Sequence, residues 1–237
     1  MHQKESVFSN LSPIVAVGIG PGDPELITVK GLKALQQADV IFYPASKKSG
    51  DAEQSFSKKI IDCYGLKGDL KPLLFPMTGK NRSAFYREAY ETILQARNAG
   101  KRVVVVSEGD VLFYSTFGYL LELANAGGVP CELIPGIPAF IHGGAEMKQP
   151  LVDGRETLGI LPRPESFDQV RQRLDTTDVL VVMKMSVLKD WGSFLATCTR
   201  PFFYSEKLGT AEQFVSSSAD EIGGRIIPYF SIIIFKK

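Results

Sequence analysis

The stretch VGIGPGDPELITVKGLKALQQADVIFYPAS, Val17 to Ser46, joins an apolar run to a glycine turn, a helical repeat and a second apolar run. Val29, Leu32 and Leu35 fall at helical spacing. Asp23 before Pro24 suits an N-cap and first helical position, and Thr28 offers a second cap one turn later. Upstream, IVAVGIG from Ile14 predicts a short buried strand, and ADVIFYP predicts a second strand ended by Pro44. The glycines Gly18, Gly20 and Gly22 are spaced G-x-G-x-G, whereas a dinucleotide fingerprint is G-x-G-x-x-G. Pro21 stiffens the turn and removes one of the backbone N–H groups that a phosphate nest uses. The loop therefore suits close approach by an uncharged or cationic group better than a grip on phosphate.

Working outward, DLKPLLFP predicts a third strand, and SAFYREAYETILQARNAG an amphipathic helix that stops at Gly100. KRVVVVSEGD is an apolar β-branched run with charges only at its ends, as in a parallel strand covered on both faces. YSTFGYLLELANAG and CELIPG add a helix and a strand. This alternation predicts a doubly wound parallel sheet, with ligands gathered beyond the carboxyl ends of its strands. After Pro135 the rhythm changes: TLGILP, DVLVVMKM, RPFFYSEKL and YFSIIIF read as strands, with fewer and shorter helices between them. The expected architecture is α/β in two domains, 1–130 with the parallel sheet and 131–237 mixed, joined near Gly127 to Gly136.

Composition narrows the function. The chain has 237 residues and 44% hydrophobic content, enough for a real core. A net charge of +1 gives no electrostatic bias toward nucleic acid or an anionic membrane. Cys63, Cys131 and Cys198 form neither a disulfide framework nor a C-x-x-C zinc motif, which fits a reducing cytoplasm, and only His2 and His142 supply imidazole. No protein-bound metal is expected. No segment approaches the roughly 20 apolar residues that span a bilayer, and MHQKESVFSN lacks the apolar stretch of a signal peptide.

Four loops can carry chemistry: the glycine loop, SEGDVLFYSTF after the most buried strand, the rigid turn IPGIPAFIHGG, and the strand end VVMKMS. In this order and spacing, VGIGPGDPELITVKGLKALQQADVI, EGDVLFYSTF, IPGI and VVMKM resemble the tetrapyrrole methylase family, from about Val15 to Phe235. The resemblance implies an S-adenosylmethionine-dependent methyltransferase of two α/β domains, usually homodimeric, that holds donor and tetrapyrrole in an interdomain cleft. The donor carries no phosphate, which accounts for the glycine spacing. Carried onto this chain, the donor-binding residues are Pro21, Gly109, Asp110, Phe113, Ser115, Thr116, Ile137, Met183 and Leu208. Asp110 is expected to orient the donor through its loop.

Within the family, Glu108 and the YSTF sequence resemble the precorrin-2 or cobalt-factor-II C20-methyltransferases. Val111 replaces a common proline, and PGIPAF replaces a serine-containing version. Glu108 and Tyr114 are the candidates for assisting proton loss from the ring carbon. Gly20, Arg82, Arg87 and Lys184 are the candidate substrate contacts, with Lys207 beside them, since such a substrate bears many carboxylates. A methylase of another ring carbon or of RNA, and a binding module without turnover, are the alternatives.

Overall fold

The computed structural model describes residues 11–46, 55–75 and 82–237, which leaves MHQKESVFSN and His2 outside the described residues. The chain divides into two compact units, Met1–Pro138 and Ala139–Lys237.

The first unit runs β1 (Ile14–Gly18), α1 (Val29–Gln37), β2 (Val40–Ser46), α2 (Phe56–Ile61), β3 (Asp69–Phe75), α3 (Arg82–Asn98), β4 (Val103–Ser107), α4 (Phe117–Ala126) and β5 (Cys131–Ile134). All its strand pairs are parallel, in the order β3-β2-β4-β1-β5. Because β5 pairs with β1, the first unit reaches past residue 130. Every residue of β4 is buried, and the two-residue period of a strand sends them alternately to two cores. Val103 and Val105 join Ile14, Ala16 and Phe42 on one side, while Val104 and Val106 join Val17, Ile41 and Tyr43 on the other.

Both caps proposed for the first helix exist. Asp23 caps a 3-10 turn at Pro24–Leu26, and Thr28 Oγ1 accepts from the Gly31 amide at 3.1 Å to cap α1. The helix does not bury Val29, which is 70% exposed; Gly31 and Leu35 face the sheet instead. A Cβ on Gly31 would lie 2.9 Å from Val17 Cγ1, so this glycine permits the close approach of α1 to β1. Pro44 does not end β2. The strand pairs with β4 only from Val40 to Phe42, so beyond Phe42 a residue without an N–H interrupts no ladder on that side. Pro72 is accommodated because β3 is an edge strand.

The second unit runs α5 (Ala139–Met147), β6 (Leu158–Leu161), α6 (Phe167–Thr176), β7 (Val179–Met183), α7 (Trp191–Ala196), β8 (Phe202–Glu206), β9 (Phe214–Ser216), α8 (Ala219–Gly223) and β10 (Ser231–Lys236). Its sheet, β6-β7-β10-β8-β9, is mixed: β6 and β7 are parallel, and the other pairs antiparallel. Trp191 anchors the core at 2% exposed, with its indole N–H donating to Met185 O at 2.8 Å and Phe167 and Phe194 packed against it. The stacked pair of Phe167 and Phe194 adds about 1 kcal/mol beyond area burial.

The turn IPGIPAFIHGG becomes helical from Ala139. Its glycines serve packing: a Cβ on Gly143 would lie 3.0 Å from Ile232 Cδ1, and one on Gly144 2.8 Å from Leu151 Cγ. No helix among the described residues is long and apolar enough to cross a membrane.

Candidate active site

In the first sheet β1 and β4 are neighbours whose onward connections leave in opposite directions, one toward β2 and the other toward β5. Such a topological switch point opens a crevice at the carboxyl ends of the strands. The loops after β1 and β4 meet there. Ile19 N donates to Ser107 O at 3.0 Å, Gly20 N to Gly109 O at 3.2 Å and Gly109 N to Gly20 O at 2.7 Å. The loop after β5 closes against both: a Cβ on Gly136 would lie 2.1 Å from Gly109 O and 2.7 Å from Gly18 C.

Asp110 ties this junction together. Its Oδ2 accepts from the Gly136 amide at 2.9 Å and its Oδ1 from the Leu112 amide at 2.8 Å. The amides of Gly20, Gly109 and Gly136 are thus all engaged within the protein. In a phosphate nest, such groups point at the ligand. The segments Gly18–Thr28, Ser107–Thr116 and Ile134–Pro138 also hold four acidic residues, Asp23, Glu25, Glu108 and Asp110, and no lysine or arginine. Their combined charge is legible only after the topology has brought them together.

Beyond Asp110 the β4–α4 loop turns outward. Tyr114 adopts φ +52° and is 52% exposed, with Phe113 edge-on to its ring at 4.8 Å. Ser115 Oγ lies 2.8 Å from Ser107 Oγ and accepts from the Phe117 amide at 3.0 Å, fastening the start of α4 to the end of β4. Thr116, the N-cap of α4, makes no side-chain capping bond. Pro21 is buried in the opposing loop.

The segment that begins with α2 braces both loops. Ser57 Oγ donates to Glu108 Oε1, and Tyr64 Oη donates to Pro24 O at 2.7 Å. Burial raises the Glu108 carboxyl above its usual range, against the lowering effect of the Ser57 hydrogen bond. Burial likewise pushes the Tyr64 phenol up to about 12 from 10.0. An acid whose folded pKa is raised is favoured neutral in the fold, so its contribution is present below pH 10 and fades as pH rises through about 12. Ultraviolet titration should show one tyrosine ionising near pH 12 that Tyr64→Phe removes; loss in that variant of a phenol that titrates near pH 10 instead would refute the burial of Tyr64 in the brace.

The other sequence candidates are distributed differently. Arg82 is the first residue of α3, its side chain outside the described residues, and Arg87 is exposed one and a half turns along the same helix, so neither occupies a loop. Arg87 shares its surface with Ser83, Glu88 and Glu91. Ile137 is half-buried in the loop after β5. In the second unit, Met183 ends β7 and Leu208 follows β8 at 5% exposed. Lys184 and Lys207, at φ +54° and +48°, follow those strands, and their amides donate to Ser231 O and Phe230 O on either side of β10. Sequence reasoning missed Ser57 and Tyr64, whose partners lie 51 and 40 residues away.

The model of the tetrapyrrole (corrin/porphyrin) methylases matches residues 13–223. A precorrin-2 C(20)-methyltransferase from Sinorhizobium sp is 34% identical, covering 93% of this chain and 94% of its own. A probable cobalt-precorrin-2 C(20)-methyltransferase from Methanocaldococcus jannaschii is 30% identical, covering 94% and 96%. A solved uroporphyrin-III C-methyl transferase from Thermus thermophilus, complexed with S-adenyl homocysteine, superposes with a TM-score of 0.68 at 19% identity, over 95% of this chain and 98% of that one. The switch-point loops, the two sheets and the span of the match lead to one conclusion: the chain belongs to the tetrapyrrole (corrin/porphyrin) methylases.

Proposed function

We propose that the chain transfers a methyl group from S-adenosylmethionine to C20 of precorrin-2 or of its cobalt-loaded counterpart, a step of cobalamin biosynthesis. One observation carries the choice of donor: the switch-point glycine amides are already engaged within the protein, those of Gly20 and Gly109 with each other and that of Gly136 with Asp110, and the loops bear acidic residues without a basic one. That surface repels a pyrophosphate and suits a sulfonium cation. The choice of C20 rests on the two relatives named for that position, which match nearly end to end.

The donor supplies a methyl that is already activated, so the protein's task is alignment, and orientation alone can account for most of the acceleration. In this reading, as the family resemblance implies, Pro21, Gly109, Asp110, Phe113, Ser115, Thr116, Ile137, Met183 and Leu208 contact the donor. Asp110 and Ser115 act by holding loop backbone, since their side-chain oxygens are hydrogen-bonded within the fold. In the same reading Tyr114 assists proton loss from the methylated carbon or walls off competing ring positions, a role supported by its exposure and its strained φ. Glu108, the other candidate for assisting proton loss, accepts from Ser57 and braces the loop through that bond. Gly20, Arg82, Arg87 and Lys184 are assigned to the substrate and its carboxylates.

The test uses methyl-labelled donor with metal-free and cobalt-loaded precorrin-2 in parallel, with products read by mass spectrometry and carbon NMR. Label at C20 with either substrate is expected, and calorimetry should detect S-adenosylhomocysteine but not NAD. Label at C11 or C17 overturns the regiochemistry; NAD binding without S-adenosylhomocysteine binding overturns the donor.

A further inference from the structure

Leu208 sits in the connection between β8 and β9, a turn that two residues bend sharply: Lys207 at φ +48° and Gly209 at φ +74°. A lysine in the left-handed region is strained unless its surroundings hold it there. Here they do. The Gly209 amide donates to Gln213 Oε1 at 2.6 Å, and Gln213 Nε2 donates to Glu146 Oε2 at 2.8 Å. Glu146 belongs to α5, and its other oxygen lies 3.5 Å from His142 Nε2. A primary amide serves both ends of this bridge because it accepts at one atom and donates at the other; a carboxylate of the same shape only accepts.

The same helix also touches the residue that the bridge controls. A Cβ on Gly143 would lie 3.8 Å from Leu208 Cδ1, and Gly143 and Glu146 are three residues apart on α5, hence on one face. Contact and hydrogen bond together fix the turn from one side. Within the turn, Thr210 N and Oγ1 both donate to Lys207 O, at 3.2 and 2.8 Å, and Gln213 N donates to Thr210 O at 3.0 Å. Gln213 is the residue that links this small unit to a helix 67 positions away.

We propose that Gln213 is a positioning residue for the methyl donor: by bridging Gly209 to Glu146 it holds Leu208 where the donor site requires it. The proposal rests on the reading of Leu208 as a donor contact. The bridge exists without ligand, so the two can be tested separately.

The informative variant is Gln213→Glu. It keeps the acceptor for Gly209 but sets a second carboxylate against Glu146. Exchange of the Gly209 amide, followed by NMR on the ligand-free chain, should accelerate. The S-adenosylhomocysteine dissociation constant should rise about tenfold, with KM for the donor rising in parallel and kcat little changed. Adding Glu146→Gln returns a donor and an acceptor to the bridge with their roles exchanged, and should restore both exchange and affinity. A merely structural role predicts no such rescue. Wild-type affinity in Gln213→Glu, or a double variant as weak as the single one, overturns the proposal. A wild-type chain that fails to bind S-adenosylhomocysteine overturns the donor reading itself, and the exchange rate of Gly209 distinguishes that failure from failure of the bridge.

Discussion

Gly136→Ala should disable the protein more thoroughly than a methyl added at any other described glycine of the first unit. The new Cβ would lie 2.1 Å from Gly109 O and 2.7 Å from Gly18 C, both backbone atoms with no rotamer to yield. Relief requires parting the loops that follow β1, β4 and β5, and that movement also breaks the Gly136 hydrogen bond to Asp110. Overpacking of this kind costs about 3 kcal/mol, the upper part of its usual range. That corresponds to a fall of roughly 10 °C in unfolding midpoint, and S-adenosylhomocysteine binding should fall below detection. Gly118→Ala is the matched control, because a Cβ there meets nothing within 4 Å and the residue lies inside α4. The control should be neutral or more stable by about 0.5–1 kcal/mol. A Gly136→Ala protein that melts and binds like wild type would show that the three loops do not need their close approach.

Asp110→Ala should produce the second largest effect, on binding more than on stability. Its carboxylate accepts from the amides of Gly136 and Leu112, in two different loop segments. Hydrogen bonds to a charged group are each worth about 1.5–3 kcal/mol, and losing the pair frees the β4–α4 loop from the β5–α5 loop. We expect donor affinity to fall roughly 30- to 100-fold, equivalent to about 2–3 kcal/mol, with an unshifted pH profile of turnover. Asp110→Asn keeps one good acceptor and should fall between. Unchanged affinity with slowed turnover would make Asp110 a proton-transfer group instead.

Much of the fold was legible because local signals and tertiary outcome agree. The VVVV run of β4 is apolar on both faces, and the structure covers both faces. Thr28 and Asp23 cap where their chemistry allows. Where the reading failed, a neighbour decided. Pro44 remains in β2 because β4 stops pairing two residues earlier, and strand order is not written in ADVIFYP. Val29 keeps helical spacing yet faces outward, since Gly31 is the residue that lets α1 approach β1.

The candidate site divides in the same way. Its loops were identified by their residues, but the partners that determine their chemistry are remote in sequence. Asp110 meets Gly136 across 26 positions, and Glu108 meets Ser57 across 51. Arg87 suited a carboxylate contact by charge alone, and α3 carries it on the exposed helix that the sequence pattern already predicted, beside Glu88 and Glu91.

The place of β10 orders events during synthesis. The first sheet is complete in sequence once Ile134 has been made, and can form while later residues are still being added. The second cannot. Its central strand is the last of its five strands to be synthesised, and until Ser231–Lys236 emerges, β7 and β8 have no shared partner to join them. Meanwhile Val181 and Tyr204, buried in the finished protein, face the nascent chain's surroundings. The strand that covers them, SIIIFK, is itself an apolar β-forming segment, of the composition that favours cross-strand aggregation while exposed. Crowded expression at elevated temperature should therefore yield chains whose first unit has folded and whose second has aggregated.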